Sequence, residues 1–202
     1  LNDVRVRRAL GLAIDREART LDEALREAQL VIVAAPVQAI REVFAEIAPL
    51  LSRGAVVTDV ASTKSQVTEW ARELLPSTVD FVGGHPMAGK ERTGPAAADP
   101  RIFEGAIYCV TPGPRARQAA VDLVEAMVRQ AKAKVYYIDP AEHDSYVAAV
   151  SHLPFMLSAA QMAVVSESAG WKEMAPLAAT GFRDISRLAS GDAEMHRDIC
   201  IT

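Results

Sequence analysis

Several features that would assign this chain to a particular class of protein are scarce in its sequence. Of its 202 residues, 2 are cysteines, and the unpatterned Cys109 and Cys200 suggest buried free thiols rather than disulfides or a metal site. The net charge of -4 leaves no general basic surface for a nucleic acid. The longest apolar runs, such as residues 30–37, are far shorter than the roughly 20 residues of a membrane helix. Since no signal-like segment begins the chain, the sequence predicts a cytoplasmic protein without a membrane partner.

A glycine-rich phosphate loop is also missing. No G-x-G-x-x-G occurs in the sequence, although a doubly wound domain that binds a dinucleotide carries this turn after its first strand. We therefore expect the phosphate-binding half to be absent or replaced, and the chain to be part of a longer protein.

Five short apolar runs alternate with segments of helical spacing. The runs lie at residues 30–34, 55–59, 81–82, 106–110 and 135–138, and the roughly 25 residues from one to the next match a strand plus a helix. Between them apolar residues recur at three- to four-residue intervals, as at Ile40, Phe44 and Ile47. The pattern predicts an α/β domain with a doubly wound, mostly parallel sheet, incomplete at its N-terminus and covered by helices.

Strand signals stop after residue 138. The following residues have helical character, with an interruption expected at Pro154, which lacks a backbone N–H. We therefore predict two domains, residues 1–139 containing the sheet and residues 140–202 entirely helical.

Polar residues follow the second predicted strand, where a helix is expected to begin. Residues 59–64 read Asp-Val-Ala-Ser-Thr-Lys, and open α/β sheets bind ligands at such strand ends. The same residues suit a helix N-cap, in which Asp59 or Ser62 accepts from free amides and Lys64 is solvated. The residues themselves leave both interpretations open.

A histidine between glycines ends the third predicted strand, in Gly83-Gly84-His85-Pro86. Glycines allow the backbone to approach a ligand closely, and imidazole titrates near neutral pH. We interpret His85 as an acid/base catalyst, the alternative being a buried structural histidine. His143 and His196 have no such neighbours and are expected at the surface.

Four segments together resemble the prephenate/arogenate dehydrogenase family in order and spacing. They are residues 59–64, 84–94, 151–154 (Ser-His-Leu-Pro) and 181–187 (Gly-Phe-Arg-Asp-Ile-Ser-Arg). The resemblance implies a Rossmann-like NAD(P)-binding domain followed by a helical substrate and dimerisation domain, both partial here, and a homodimer at full length. It also implies oxidative decarboxylation of prephenate to 4-hydroxyphenylpyruvate in tyrosine biosynthesis.

The resemblance assigns catalytic and substrate-binding roles. His85 would take the proton of the substrate 4-hydroxyl as hydride leaves for nicotinamide, and Ser62 would hydrogen-bond His85 and set its tautomer. Arg187 would hold a substrate carboxylate, because a planar guanidinium binds carboxylates with two hydrogen bonds.

Further positions in the matching motifs are expected to line the substrate pocket: Ser151, His152 and Gly181. Arg183 and Glu91 stand where the resemblance implies an ionic gate over this pocket. Taken alone, these charges would equally suit a solvated surface.

For the cofactor, the resemblance places Ala35, Pro36 and Val37 beside the dinucleotide, with Asp59 and Ser62. A helix started by a proline is the alternative for the turn at residues 34–37. The choice between NAD and NADP stays open, since the strand carrying the discriminating residue is expected to precede Leu1.

Two departures bear on the substrate. Many prephenate-specific members have histidine where this chain has Phe155, and tryptophan where it has His196. The alternatives are therefore an arogenate dehydrogenase giving tyrosine directly, a hydroxyacid or imine reductase of similar build, and a non-catalytic module that binds an aromatic precursor.

Overall fold

The computed structural model describes residues 18–89 and 99–202. These residues fall into two compact units: the first ends at Asp144 and also contains Thr202, and the second spans Ser145–Ile201. The division lies a few residues beyond Asp139, where the sequence predicted a domain boundary.

A five-stranded sheet forms the centre of the first unit. Its strands are β1 (Leu30–Val33), β2 (Val56–Asp59), β3 (Asp80–Pro86), β4 (Ile107–Pro112) and β5 (Lys134–Tyr137), and they lie in the order β1-β2-β3-β4-β5. Each of the five predicted apolar runs contributes a strand. β3 extends beyond its predicted end, so that His85 lies inside the strand.

The strand directions divide the sheet. β1, β2 and β3 are parallel, and β4 pairs in parallel with β5, but β3 and β4 are antiparallel, with His85 opposite Cys109. The predicted, mostly parallel sheet is thus confirmed, with one reversed pairing. Because the first three strands run the same way, their carboxyl ends share one edge of the sheet.

Helices cover the two faces of this sheet. They are α1 (Leu21–Leu25), α2 (Ile40–Ile47), α3 (Ser65–Leu74) and α4 (Gln118–Gln130). Side chains of a strand alternate between faces. Val57 and Phe81 pack in one core with α2 and α3, whereas Val56 and Val82 pack in another with α4. The doubly wound arrangement follows from this alternation.

Every regular element after β5 is helical among the described residues, as predicted. The elements are α5 (Pro140–Val147), a π-helical turn (Ala148–His152), α6 (Leu153–Ser166), α7 (Trp171–Met174), α8 (Thr180–Ser186), α9 (Ala193–Ile201) and the short 3-10 helices Ala175–Leu177 and Arg187–Ser190. The interruption expected at Pro154 is found, since the regular α-helix gives way to the π-helical turn and starts again at Leu153. Pro154 follows the π-helical turn, a local widening that accommodates a lost backbone hydrogen bond.

The continuous helix Pro140–Ser166 is long and apolar enough to cross a membrane by length and composition. The apolar run lengths predicted no such segment. Several of its large apolar side chains are exposed in the second unit: Val150, Met156, Leu157 and Val164. An apolar surface of this kind is typical of a face that another surface covers.

The two cysteines are unpaired. Cys109 is buried and Cys200 is exposed. The prediction of free thiols is confirmed, and the prediction that both are buried is wrong for Cys200, because it lies near the exposed end of α9.

Candidate active site

A buried ion pair links the carboxyl ends of β2 and β3. Lys64 and Asp59 are both inaccessible to solvent, and the Lys64 ammonium contacts Asp59 Oδ2 and donates to the Gly84 carbonyl oxygen at 2.8 Å. The other Asp59 oxygen accepts from the Gly84 amide at 3.1 Å. Burial lowers the pKa of Lys64, and the charge of Asp59 opposes this shift. The prediction of a solvated Lys64 is wrong, because its ammonium is needed between the two strands.

The glycines before His85 make this packing possible. A Cβ atom on Gly84 would lie 2.7 Å from the Asp59 carbonyl oxygen and 2.7 Å from the Tyr108 hydroxyl. On Gly83 it would lie 2.3 Å from the Thr111 hydroxyl. Both glycines are thus needed for packing within the protein, and the approach of a ligand to them, which the sequence suggested, stays a prediction.

His85 lies at the end of β3 with 8% of its surface exposed. The carboxyl ends of β1 and β2 lie at the same edge, since Val33 pairs with Asp59 and Val57 with Phe81 in parallel register. The imidazole is therefore held at the ligand-binding end of the sheet, as the sequence predicted from its position after a strand.

The partner of His85 is a second histidine that sequence reasoning missed. His143, in α5, is fully buried, and its Nε2 lies 2.9 Å from His85 Nδ1, with the rings edge to face at 69°. The expectation of a surface His143 is wrong, because its burial depends on a contact across 58 residues of sequence. The adjacent carboxylate of Asp144 was the available signal, since paired imidazole and carboxylate groups are typical of oriented acid/base sites.

Asp144 connects α5 to the start of α3. Its carboxylate accepts from the amides of Lys64 at 2.7 Å and Ser65 at 2.8 Å, and it lies 2.8 Å from His143 Nδ1. Amides in the first turn of a helix have no carbonyl partner within that helix and need an acceptor from elsewhere. Neither Asp59 nor Ser62 caps them, although the sequence suggested both, and Asp144 supplies the cap from α5.

The predicted cofactor residues lie along the same sheet edge. Ala35 and Pro36 follow β1 with half-buried and exposed side chains, Val37 is buried in the core, and Ser62 is half-buried after β2. These residues follow the carboxyl ends of β1 and β2, where open α/β sheets bind ligands, and their contact with a dinucleotide stays a prediction. Asp59 uses its carboxylate for protein contacts, and its predicted role at the cofactor stays a prediction.

Ser62 was predicted to orient His85. His143 occupies the Nδ1 side of the ring in the structure. A contact between Ser62 and the other side of the imidazole stays a prediction.

The predicted substrate residues after Asp144 belong to the second unit. Ser151 and His152 lie in the π-helical turn, a form of backbone frequent at functional sites. Gly181 and Arg183 lie in α8, and Arg187 follows it by one residue.

The two arginines are four residues apart on consecutive helical turns and are exposed. The buried Ser158 hydroxyl donates to the Ile185 carbonyl at 2.7 Å, which holds α6 against α8. Glu91, the predicted gate partner, lies outside the described residues.

Family models match almost the whole chain. Residues 2–137 match the model described as "Prephenate dehydrogenase, nucleotide-binding domain", and residues 139–202 match "Prephenate dehydrogenase, dimerization domain". The junction between the matches lies close to the predicted Asp139.

Curated relatives are named as prephenate or cyclohexadienyl dehydrogenases. The prephenate dehydrogenase of Bacillus subtilis is 37% identical over 193 residues, covering 93% of this chain and 51% of the relative. The cyclohexadienyl dehydrogenase of Zymomonas mobilis is 29% identical and covers 96% of this chain and 66% of the relative. The chain thus spans about half the length of the Bacillus relative.

Solved structures agree in fold and sequence. Prephenate dehydrogenase from A. aeolicus, in complex with hydroxyphenyl propionate and NAD+, superposes with a TM-score of 0.86 at 28% identity, over 98% of this chain and 69% of that one. Synechocystis arogenate dehydrogenase gives a TM-score of 0.78 at 32% identity, over 93% of this chain and 67% of that one. Together with the two family matches, the shared sheet, helices and sequence establish that this chain belongs to the prephenate dehydrogenase family.

Proposed function

We propose that the protein containing this chain is an NAD(P)-dependent prephenate dehydrogenase, which converts prephenate to 4-hydroxyphenylpyruvate in tyrosine biosynthesis. The observation that carries the proposal is the position of His85, held near the carboxyl end of β3 at the edge where β1 and β2 also end. The family matches and the NAD+ complex of the A. aeolicus relative support it.

His85 acts as the acid/base in this proposal. When hydride leaves the ring carbon that bears the 4-hydroxyl, that oxygen gains carbonyl character and its proton becomes acidic. The neutral imidazole accepts this proton and returns it to the phenolic oxygen once carbon dioxide has left the ring. Aromatisation drives the reaction forward, so the protein chiefly needs to position the substrate.

A bound NAD(P) supplies the acceptor for the hydride. Ala35, Pro36 and Ser62 are the residues of this chain that would lie along it at the sheet edge, and the buried Val37 fixes the turn into α2. The substrate carries two carboxylates, and Arg187 would bind one of them through its guanidinium. Ser151, His152 and Gly181 are further substrate residues in this proposal.

The helical second unit serves dimerisation in this proposal. Its match to a dimerization-domain model and the exposed apolar side chains of Pro140–Ser166 support a homodimer of the full-length protein in the cytoplasm. The apolar helix is then covered by protein. Sedimentation of the full-length protein at two concentrations, with and without lipid vesicles, tests this assignment.

The decisive experiment compares full-length wild-type protein with His85→Asn. Steady-state rates are measured on prephenate and arogenate, each with NAD+ and NADP+. We expect turnover to fall by about 10²–10⁴, the usual contribution of a general base, with the Kd of the cofactor unchanged. A variant with wild-type turnover would remove His85 from the mechanism.

The same assay separates the alternatives. An arogenate dehydrogenase turns over arogenate and not prephenate, a possibility that the likeness to the Synechocystis enzyme supports. A non-catalytic module gives no rate in any of the four combinations while still binding the aromatic precursor.

A further inference from the structure

Both ring nitrogens of His143 are engaged in the structure. Nδ1 lies 2.8 Å from Asp144 Oδ1, and Nε2 lies 2.9 Å from His85 Nδ1. His143 is fully buried and His85 nearly so, so the contact between the two imidazoles is shielded from water. His143 therefore lies between the Asp144 carboxylate and the proposed catalytic imidazole.

The charge of Asp144 determines which ring nitrogen of His143 carries a proton. Burial alone would raise the pKa of this carboxyl group, but the hydrogen bonds from His143 and from Ser65 outweigh it and lower the pKa to about 2. The amides of Lys64 and Ser65 also point at the carboxylate. An ionised carboxylate can only accept hydrogen bonds, so His143 must carry its proton on Nδ1.

The rest follows from the two forms of a neutral imidazole. With its proton on Nδ1, His143 presents a bare Nε2 that can only accept. His85 must therefore donate from Nδ1, which leaves its own Nε2 without a proton. This is the form in which an imidazole takes a proton from a substrate.

From this geometry we propose that His143, anchored by Asp144, is a positioning residue that holds His85 in the tautomer with a proton on Nδ1 and a basic Nε2. The inference rests on the proposed function for its catalytic meaning, but the tautomer itself is a property of the protein without substrate. It places a carboxylate and a second imidazole behind the base, as in the triads of hydrolases, where the carboxylate fixes the tautomer of the catalytic histidine.

The direct test is spectroscopic and needs no turnover. Two-dimensional spectra of ¹⁵N-labelled full-length protein report which imidazole nitrogens carry protons, and His85→Asn identifies the signals of His85. We expect a protonated Nδ1 and a bare Nε2 for His85 in the wild type. A wild-type His85 with its proton on Nε2 overturns the proposal, whether or not the protein is a dehydrogenase.

Two substitutions at His143 test its role. In His143→Gln, the amide oxygen can still accept from His85 and the NH2 group can donate to Asp144, so we expect the tautomer to persist and kcat to stay within about threefold. In His143→Leu the acceptor is lost, and we expect mixed tautomers and a kcat lowered by about 10- to 100-fold, the usual effect of removing an orienting partner. KM and the Kd of the cofactor should change little.

Thermal unfolding of both variants controls for structural damage. If His143→Leu does not fold, the wild-type spectrum and His143→Gln still decide the question. A folded His143→Leu variant that keeps the wild-type tautomer and kcat refutes the positioning role. The role is also refuted if kcat falls equally in both variants while the tautomer of His85 stays unchanged in both.

Discussion

The imidazole of His196 lies flat on the ring of Phe155, with ring centroids 3.4 Å apart and an angle of 8° between the planes. His196 Nδ1 donates to the Asp192 carbonyl at 2.7 Å, which fixes the ring at the start of α9. A Cβ atom on Gly191 would lie 2.9 Å from the His196 ring and 3.1 Å from Phe155. The two departures that the sequence showed separately are therefore one stacked pair.

This pairing predicts that the two positions influence substrate choice together. The substitutions Phe155→His and His196→Trp introduce the two residues that, by the family resemblance, many prephenate-specific members have at these positions. We expect the double variant to raise kcat/KM for prephenate relative to arogenate by about tenfold, the scale of one altered pocket contact. Each single variant should shift the ratio less than half as far, since contacting residues act non-additively. Equal ratios in the wild type and the double variant would show that the stack is structural.

The close packing around Gly84 predicts a stability defect. Gly84→Ala places a methyl group against the Asp59 carbonyl and the Tyr108 hydroxyl, and overpacking of this kind costs about 1–3 kcal/mol in the free energy of unfolding. Gly89→Ala is the matched control, because among the described residues no atom apart from its chain neighbours lies within 4 Å of its Cβ position, and it should change stability by less than about 0.5 kcal/mol. Urea unfolding measures both, and equal midpoints would contradict the prediction.

Asp144 predicts a pH-dependent contribution to stability. Its pKa of about 2 lies below the ordinary 3.8, so the stabilisation is complete above pH 3.8 and is lost as the pH falls towards 2. We expect Asp144→Asn to be less stable than wild type by about 2 kcal/mol near pH 7, and by about 1 kcal/mol near pH 3. Urea unfolding across this range provides the comparison. A difference that stays constant with pH would mean that the ionised carboxylate is not the source of the stability.

Arg187 predicts a loss of substrate affinity. Arg187→Ala should weaken substrate binding by about 1.5–3 kcal/mol, the scale of a hydrogen bond to a charged group. Calorimetry in a His85→Asn background gives the Kd without turnover. Arg129→Ala is the control, since Arg129 is exposed on α4 and pairs with Glu125. Equal affinities in the two variants would place Arg187 on the solvated surface.

The strands could be predicted because each is a short apolar run that packs into a local core. Their directions could not all be predicted, since an apolar run has no direction and the reversal of β4 depends on its pairing with β3. The interruption near Pro154 could be predicted, because a proline has no backbone N–H to donate to the preceding turn.

In the candidate site, too, the residues that could be predicted are those whose signals are local in sequence. His85 could be found because its strand, its glycines and its proline are neighbours in sequence. His143 and Lys64 could not be placed, because their burial comes from partners on other elements, His85 for one and Asp59 for the other. The packing around Gly83 and Gly84 could not be predicted, since the atoms that crowd their Cβ positions belong to residues 59, 108 and 111.

Because β3 and β4 are antiparallel, their carboxyl ends lie at opposite edges of the sheet. His85 lies near one edge, and β4 ends at the other, where Val82 pairs with Pro112. Insertions or reporter groups engineered into the turn after Pro112 would therefore project away from His85 and should leave the proposed chemistry undisturbed.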